Sequence, residues 1–272
     1  MSSRCRILLL PLLTVFAAMF ASQPAFATIT YANSLGTFID FTNIQETSTL
    51  GDPELPTVPT PPDSSCCFGT PTRVGDALYF SPPDFKAGTV DAGGYDPTGA
   101  QLQILITAHT GETIDSVNIW EVGDMALSGP NGTGGTGVFA AMSGFLTVLE
   151  VNGIGVTPVV ISFNAGGANP SGVTAAFTPG ALGTLGLNLP GDAATTSWGG
   201  LVTVNVASIV ANATKLQLSY DNELYAYTEL DGNSAAIQKN TVVIGVIPEP
   251  GTFALLGGGL LLLAIRARGR RA

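Results

Sequence analysis

Histidine, cysteine and positive charge are scarce in this chain of 272 residues, and each scarcity removes a class of chemistry. His109 is the only histidine, so a serine or cysteine hydrolase would have a single base to draw on. No G-x-S-x-G elbow accompanies it, and Ala108-His109-Thr110-Gly111 reads as a strand end or turn. The cysteines are Cys5, Cys66 and Cys67. Adjacent Cα atoms sit about 3.8 Å apart, short of the usual disulfide span of about 4.4–6.8 Å. Cys66 and Cys67 are thus a candidate disulfide only in a strained vicinal form; two free thiols, or a bridge between two chains, are the alternatives. They are too few to make a zinc site with a distant His109, and no metal ligand set is predicted. Between Thr28 and Ile247 lie all acids except Glu249, nineteen in number, against Arg73, Lys86, Lys215 and Lys239. A net charge of −15 over that stretch excludes nucleic acid and anionic membrane surfaces as partners.

Long apolar runs are confined to the two ends. Arg4 and Arg6 precede an apolar stretch from Ile7 to Phe20, and Ala25-Phe26-Ala27 follows as an A-x-A site. Residues 1–27 therefore read as a signal peptide cut after Ala27, with Ala25 and Ala27 as the small residues of the cleavage site. At the other end, Phe253 to Ile265 carries neither charge nor polar side chain. As a helix it would reach about 20 Å at 1.5 Å per residue, against a hydrocarbon core of about 30 Å. A short transmembrane helix is expected, extended by Thr252 and by snorkelling arginine stems. Arg266, Arg268, Arg270 and Arg271 form a cytoplasmic anchor by the positive-inside rule, which leaves the rest of the chain outside. Pro248 and Pro250 set the helix start, and Glu249 sits where its dipole favours a negative charge.

Pro248-Glu249-Pro250, the short Gly/Leu span and the Arg-rich end together resemble the PEP-CTERM sorting signal of Gram-negative, exopolysaccharide-producing bacteria. Ile247 stands where the familiar form has valine. The resemblance covers the last 25 residues or so, 248–272, and implies recognition by an exosortase-type sorting enzyme with cleavage near Pro248 to Pro250. It implies an exported protein, held transiently in the inner membrane by the C-terminal helix and delivered to the cell surface or extracellular matrix. A structural or adhesive role in an exopolysaccharide or biofilm setting follows as the expected function, with exopolysaccharide as a candidate partner. A second resemblance, from Ala213 through Asn222 and from Asn233 to Lys239, is to the final hairpins of uncharacterised PEP-CTERM surface proteins. It carries no activity and no site residue.

The body, residues 28–247, reads as all-β: a single antiparallel β-sandwich or jelly roll. Proline gathers between Glu46 and Thr72, which predicts an extended loop at about 46–72. Beyond it, short β-rich runs alternate with turn residues. In Val202-Thr203-Val204-Asn205-Val206 and Leu216-Gln217-Leu218-Ser219-Tyr220 apolar side chains recur with period two, as in half-buried strands. Asp221-Asn222 and Asp231-Gly232 are expected as tight hairpin turns, and a short helix is expected near Ala207–Ala213.

Three chemistries compete for this body. A glycosidase needs two carboxylates about 5–10 Å apart, and Glu121 with Asp124, or Asp221 with Glu223, supplies such a pair. Calcium, the one candidate cofactor, would take turn oxygens from Asp91–Asp96 or Glu121–Asp124, although neither an EF-hand nor a G-G-x-G-x-D repeat is present. A carbohydrate-binding module would use Trp120, Trp198, Tyr225 and Tyr227 as stacking faces. Tyr225 and Tyr227 share one strand face, for which core is the expected reading at strand spacing and an aligned surface the alternative. The expectation is a non-catalytic protein, with the carbohydrate-binding module as first alternative and a secreted hydrolase as second.

Overall fold

A computed structural model describes residues 28–50, 68–129, 136–178, 184–185, 194–229 and 231–249. Fifteen strands follow in chain order: β1 Thr28–Thr30, β2 Ser34–Leu35, β3 Ile39–Leu50, β4 Thr72–Val74, β5 Ala77–Phe80, β6 Lys86–Val90, β7 Gly94–Ala108 and β8 Thr113–Ser128. Then come β9 Thr136–Val151, β10 Ile154–Asn164, β11 Val173–Thr178, β12 Thr184–Leu185, β13 Ala194–Asn205, β14 Ala213–Thr228 and β15 Ser234–Glu249. No helix occurs among the described residues.

All pairings are antiparallel and fall into two sheets. The first runs β1-β3-β7-β14-β9-β10, with β2 on β3 and β12 on β9; the second runs β11-β13-β8-β15-β5-β4, with β6 also on β15. Their inner faces interdigitate in one apolar core, as the period-two pattern requires. Leu216, Leu218, Tyr220 and Leu224 enter it from β14, Val202 and Val204 from β13, and Val242 and Ile244 from β15. Phe68, Phe80 and Phe85 fill the space above β15, with Phe68 ring centroids 5.9 Å from Phe80 and 5.5 Å from Phe85. The outermost strand β10 carries Pro158 at a break in its register between Gly155 and Val159, which blunts that edge against further pairing.

Several local expectations change. Asp221-Asn222 is no turn: both residues lie inside β14, which pairs with β7 on one side and β9 on the other across this point. Two long neighbours override the turn preference of an Asp-Asn pair. Asp231-Gly232 does turn, Gly232 having φ 77°, but it connects β14 and β15 across the two sheets and so is not a hairpin turn. Ala207–Asn212 forms turns and not a helix, since Ile209 and Val210 both donate to the Val206 carbonyl and the Asn205 side chain caps Ser208 N at 3.0 Å, and Ala213 already opens β14. The two ends of the expected loop at 46–72 are strand, and residues 51–67 lie outside the described residues. Glu46–Leu50 continue β3, and Thr72 opens β4. Glu46 is buried, its Oε1 accepting from Phe68 N at 3.0 Å and its Oε2 from the Tyr31 hydroxyl at 2.6 Å. Finally, β15 continues past Ile247 into Pro248 and Glu249.

Candidate functional site

Two features stand out, one in the core and one at the end of β15. The core feature starts with phase. On β8, Val117, Ile119 and Glu121 point inward; on β14, Tyr220, Asn222 and Leu224; on β15, Ala235, Ile237 and Lys239. Three polar side chains thus meet between the two sheets. Glu121 and Asn222 are completely inaccessible and Lys239 is 2% exposed. The Lys239 ammonium lies 2.5 Å from Glu121 Oε2 and touches Asn222 Oδ1. Asn222 Nδ2 donates to the same Glu121 oxygen at 2.7 Å and to the Tyr220 hydroxyl at 2.5 Å, and Tyr220 donates to Glu121 Oε2 at 2.7 Å.

Aromatic rings close this cluster from water. Lys239 Nζ stands 4.5 Å from the Phe85 ring centroid, 5.7 Å from Phe68 and 6.0 Å from Trp198. Trp198 is pinned by a 3.1 Å bond from its Nε1 to the Gln238 carbonyl, and it lies where a Cβ on Gly123 would be, 2.6 Å from that atom. Burial pushes the Lys239 ammonium below the ordinary lysine range, against the pull of Glu121. Burial, and then the Glu121 charge, pushes the Tyr220 hydroxyl well above the ordinary tyrosine range. Glu121 Oε1 is buried without a hydrogen-bond partner. An ion pair this dry forfeits much hydration, so its presence calls for a reason.

The second feature is the end of β15. Pro248 stands opposite Ile114 and Glu249 opposite Thr113, after a register break at Ile247/Pro248, and Thr113 Oγ1 donates to Glu249 Oε2 at 3.1 Å. β5 no longer covers this end, its last partner being Gly245. Pro250, Arg266, Arg268, Arg270, Arg271, Ala25, Ala27, Cys66 and Cys67 lie outside the described residues, as do the signal peptide and the C-terminal helix.

The other candidate residues are scattered. Glu121 faces the core, whereas Asp124 lies on the outer face, held by Ser197 at 2.8 Å and Asn240 at 2.7 Å; they do not form a pair. Those bonds hold the Asp124 carboxyl below the usual range. In the Asp91–Asp96 calcium candidate, Asp91 Oδ1 accepts from Gly232 N and Asp96 Oδ2 from Gly88 N, so each carboxylate has a backbone partner; in the other, Glu121 and Asp124 face opposite sides of β8. His109 Nε2 lies 2.9 Å from Asp40 Oδ1 in its turn. Trp198 is core and Trp120 is exposed on the opposite face. Tyr225 and Tyr227 lie on the outer face of β14, so the aligned-surface alternative holds for them. There Tyr225 joins Tyr95 of β7 at 5.9 Å and Phe139 of β9 at 5.6 Å, and its hydroxyl donates to Glu223 at 2.5 Å. Asp221 is next in the row, its carboxyl raised by burial and then by Glu223.

Sequence reasoning missed Asn222 and Lys239. The available signal was their phase: each continues an inward period-two series instead of breaking it.

No curated protein matches the chain. Solved structures of infectious bursal disease virus are similar only at a low level. The Gt strain structure is 13% identical over 82% of this chain and 57% of that one, with a TM-score of 0.13. The VP2 subviral particle is 13% identical over 83% and 59%, at 0.14, and derived T=1 particles are 12% identical over 83% and 57%, at 0.15. This chain spans less than two thirds of those chains, and TM-scores so low carry no argument. Residues 246–271, by contrast, match the PEP-CTERM protein-sorting motif. The stretch begins inside β15, two residues before Pro248. The presence of this motif implies export and sorting to the cell surface by an exosortase.

Proposed function

We propose that the β-sandwich is a non-catalytic surface or matrix protein with a structural or adhesive role among exopolysaccharide, released from its membrane-spanning tail by the exosortase. The observation that carries this reading is the sorting motif set flush against the body. β15 runs without a linker into Pro248-Glu249, so the sorting cut falls directly at the end of the sandwich. A net charge of −15 between Thr28 and Ile247 keeps that sandwich soluble among anionic polymers. The carboxylates of Glu121 and Asp124 point to opposite faces, so that pair does not fit a glycosidase; Asp221 and Glu223 share the outer face of β14, and the non-catalytic reading is tested by the absence of hydrolysis on the cell's own exopolysaccharide. The test is the intact mass of the protein recovered from its own cells and medium. A chain from Thr28 to a residue between Pro248 and Pro250 supports the reading; a chain that retains Arg271 and Ala272 on the cell surface refutes it.

A second reading rests on the outer face of the first sheet. Tyr95, 62% exposed, with Tyr225 and Phe139 makes a continuous aromatic row across β7, β14 and β9, flanked by the acceptors Glu223 and Asp221. Such a row fits the apolar faces of pyranose rings, with the carboxylates taking sugar hydroxyls. Tyr225→Ala would weaken retention on the cell's own exopolysaccharide at least tenfold in an affinity gel. Equal retention of variant and wild type removes this reading.

A further inference from the structure

We propose that Lys239 and Asn222 are joined by an intramolecular amide bond that the folded body makes itself, with Glu121 as the proton carrier. The geometry places all three parts of that reaction together. Nζ of Lys239, the nucleophile, touches the carboxamide of Asn222. Glu121 Oε2 lies 2.5 Å from that nitrogen and 2.7 Å from Asn222 Nδ2, the leaving group. One carboxyl oxygen therefore reaches both the atom that must lose protons and the atom that must gain one.

The surroundings favour amine over ammonium. An amine attacks only through a free lone pair, and burial already draws the Lys239 pKa down. On folding, the ammonium passes one proton to Glu121. The neutral nitrogen attacks Asn222 Cγ, forming the Nζ–Cγ bond while the carbonyl π pair moves to oxygen. Glu121 gives its proton to Nδ2 and accepts one from the attacking nitrogen. The carbonyl re-forms, the Cγ–Nδ2 bond breaks with its electron pair on nitrogen, and ammonia departs, leaving as ammonium with the remaining proton. Glu121 is again a carboxylate. One lysine ammonium and one carboxamide have become a secondary amide and ammonium, with no oxidant or reductant.

Three further features fit this reaction better than a passive ion pair. Tyr220 bonds to both Glu121 and Asn222, at 2.7 and 2.5 Å, and so holds carboxylate and carboxamide together. Phe85, Phe68 and Trp198 stand around the reacting nitrogen and keep water from competing with it. The unpartnered Glu121 Oε1 is a second site for the proton in transit. Asn222 is on β14 and Lys239 on β15, so the bond would tie the two sheets together. The inference stands on the core alone: a retained tail leaves it intact, and its failure leaves the sorting reading intact.

The test is the mass of the protein recovered from its own cells, whole and after trypsin. Lys215 and Lys239 bracket Asn222 with no other lysine or arginine between them. The linked protein is lighter than its sequence by one ammonia, and trypsin leaves the chain uncut after Lys239. Glu121→Gln keeps the ammonia and is cut there. Asn222→Asp forms the same amide by losing water, and so ends at the mass of linked wild type. Wild type of full mass, or a deficit found with Lys239 still cleaved, overturns the proposal without recourse to any variant. A linked Glu121→Gln protein overturns the role of Glu121.

Discussion

Exchanging Glu121 for glutamine isolates what a covalent tie contributes to stability. The amide side chain has nearly the volume of the carboxylate and still offers an acceptor to Tyr220 and Asn222, but it cannot carry the proton, so Lys239 and Asn222 stay separate. The bond joins residues 17 apart through the Asp231-Gly232 turn. Closing a loop of that size in the unfolded chain is worth about 3 kcal/mol in the chain-entropy account. Changes in the remaining hydrogen bonds add about 1 kcal/mol. For a body of roughly 220 residues, each kcal/mol moves Tm by about 2–4 °C. Glu121→Gln should therefore melt about 8–16 °C below wild type by circular dichroism or calorimetry, and thiol reductants should not alter the difference. Lys239→Met also lacks the bond and in addition removes the N–H that Glu121 Oε2 accepts from, so it should fall further by the roughly 1–3 kcal/mol that an unsatisfied buried acceptor costs. A Glu121→Gln protein shown by mass to be unlinked, yet melting within about 2 °C of linked wild type, would refute the reasoning that the tie acts by restraining the unfolded chain.

Other outcomes test the surroundings. Phe68→Ala empties the space between Phe80, Phe85 and Tyr220 and should cost about 3–5 kcal/mol in denaturant unfolding. Gly123→Ala places a methyl 2.6 Å from Trp198 Nε1 and 1.9 Å from the Gln238 carbonyl; wild-type tryptophan fluorescence and wild-type Tm in that variant would contradict the packing described. Glu46 has its carboxyl raised above 4.5, chiefly by burial. Its contribution to stability is then full below the ordinary glutamate range and lost as pH rises through the raised value, so Glu46→Gln should flatten the stability profile in that window. A slope unchanged by the substitution would show that another group sets it. Replacing Arg266, Arg268, Arg270 and Arg271 by glutamine should leave the tail uncut or misoriented, read by fractionation and by the mass of the C-terminus.

Alternation made most of the sandwich legible, because a strand with one buried face repeats every second residue wherever it pairs. Val202, Val204, Leu216 and Leu218 are core as their spacing predicts. Short-range preference failed where a residue's local habit opposed its place in a long strand. Asp221 and Asn222 favour turns in isolation, yet sixteen residues of β14 run through them between two neighbours. Alanines at 207–213 suggest a helix, but Asn205 caps a single turn there. Lys239 has no local sign of burial beyond its phase on β15. Its partners Glu121 and Asn222 lie 118 and 17 residues away, and no local window brings all three together. The sorting motif lies at the opposite extreme: its three parts are contiguous and need no folding to be read.

The position of Lys239 and the sorting motif on one strand has a mechanical consequence. A protein held at a surface by its C-terminal end takes tension along β15, whose last pairs, Glu249 with Thr113 and Pro248 with Ile114, would be the first to part. Peeling would then advance toward Lys239. There the load would meet a covalent bond and pass into β14, which lies between β7 and β9 in the other sheet. The turn between the two strands would lie behind that bond and carry none of the force. Extension under a pulling probe would accordingly stop short by the length of the shielded loop between Asn222 and Lys239, and Glu121→Gln would release it.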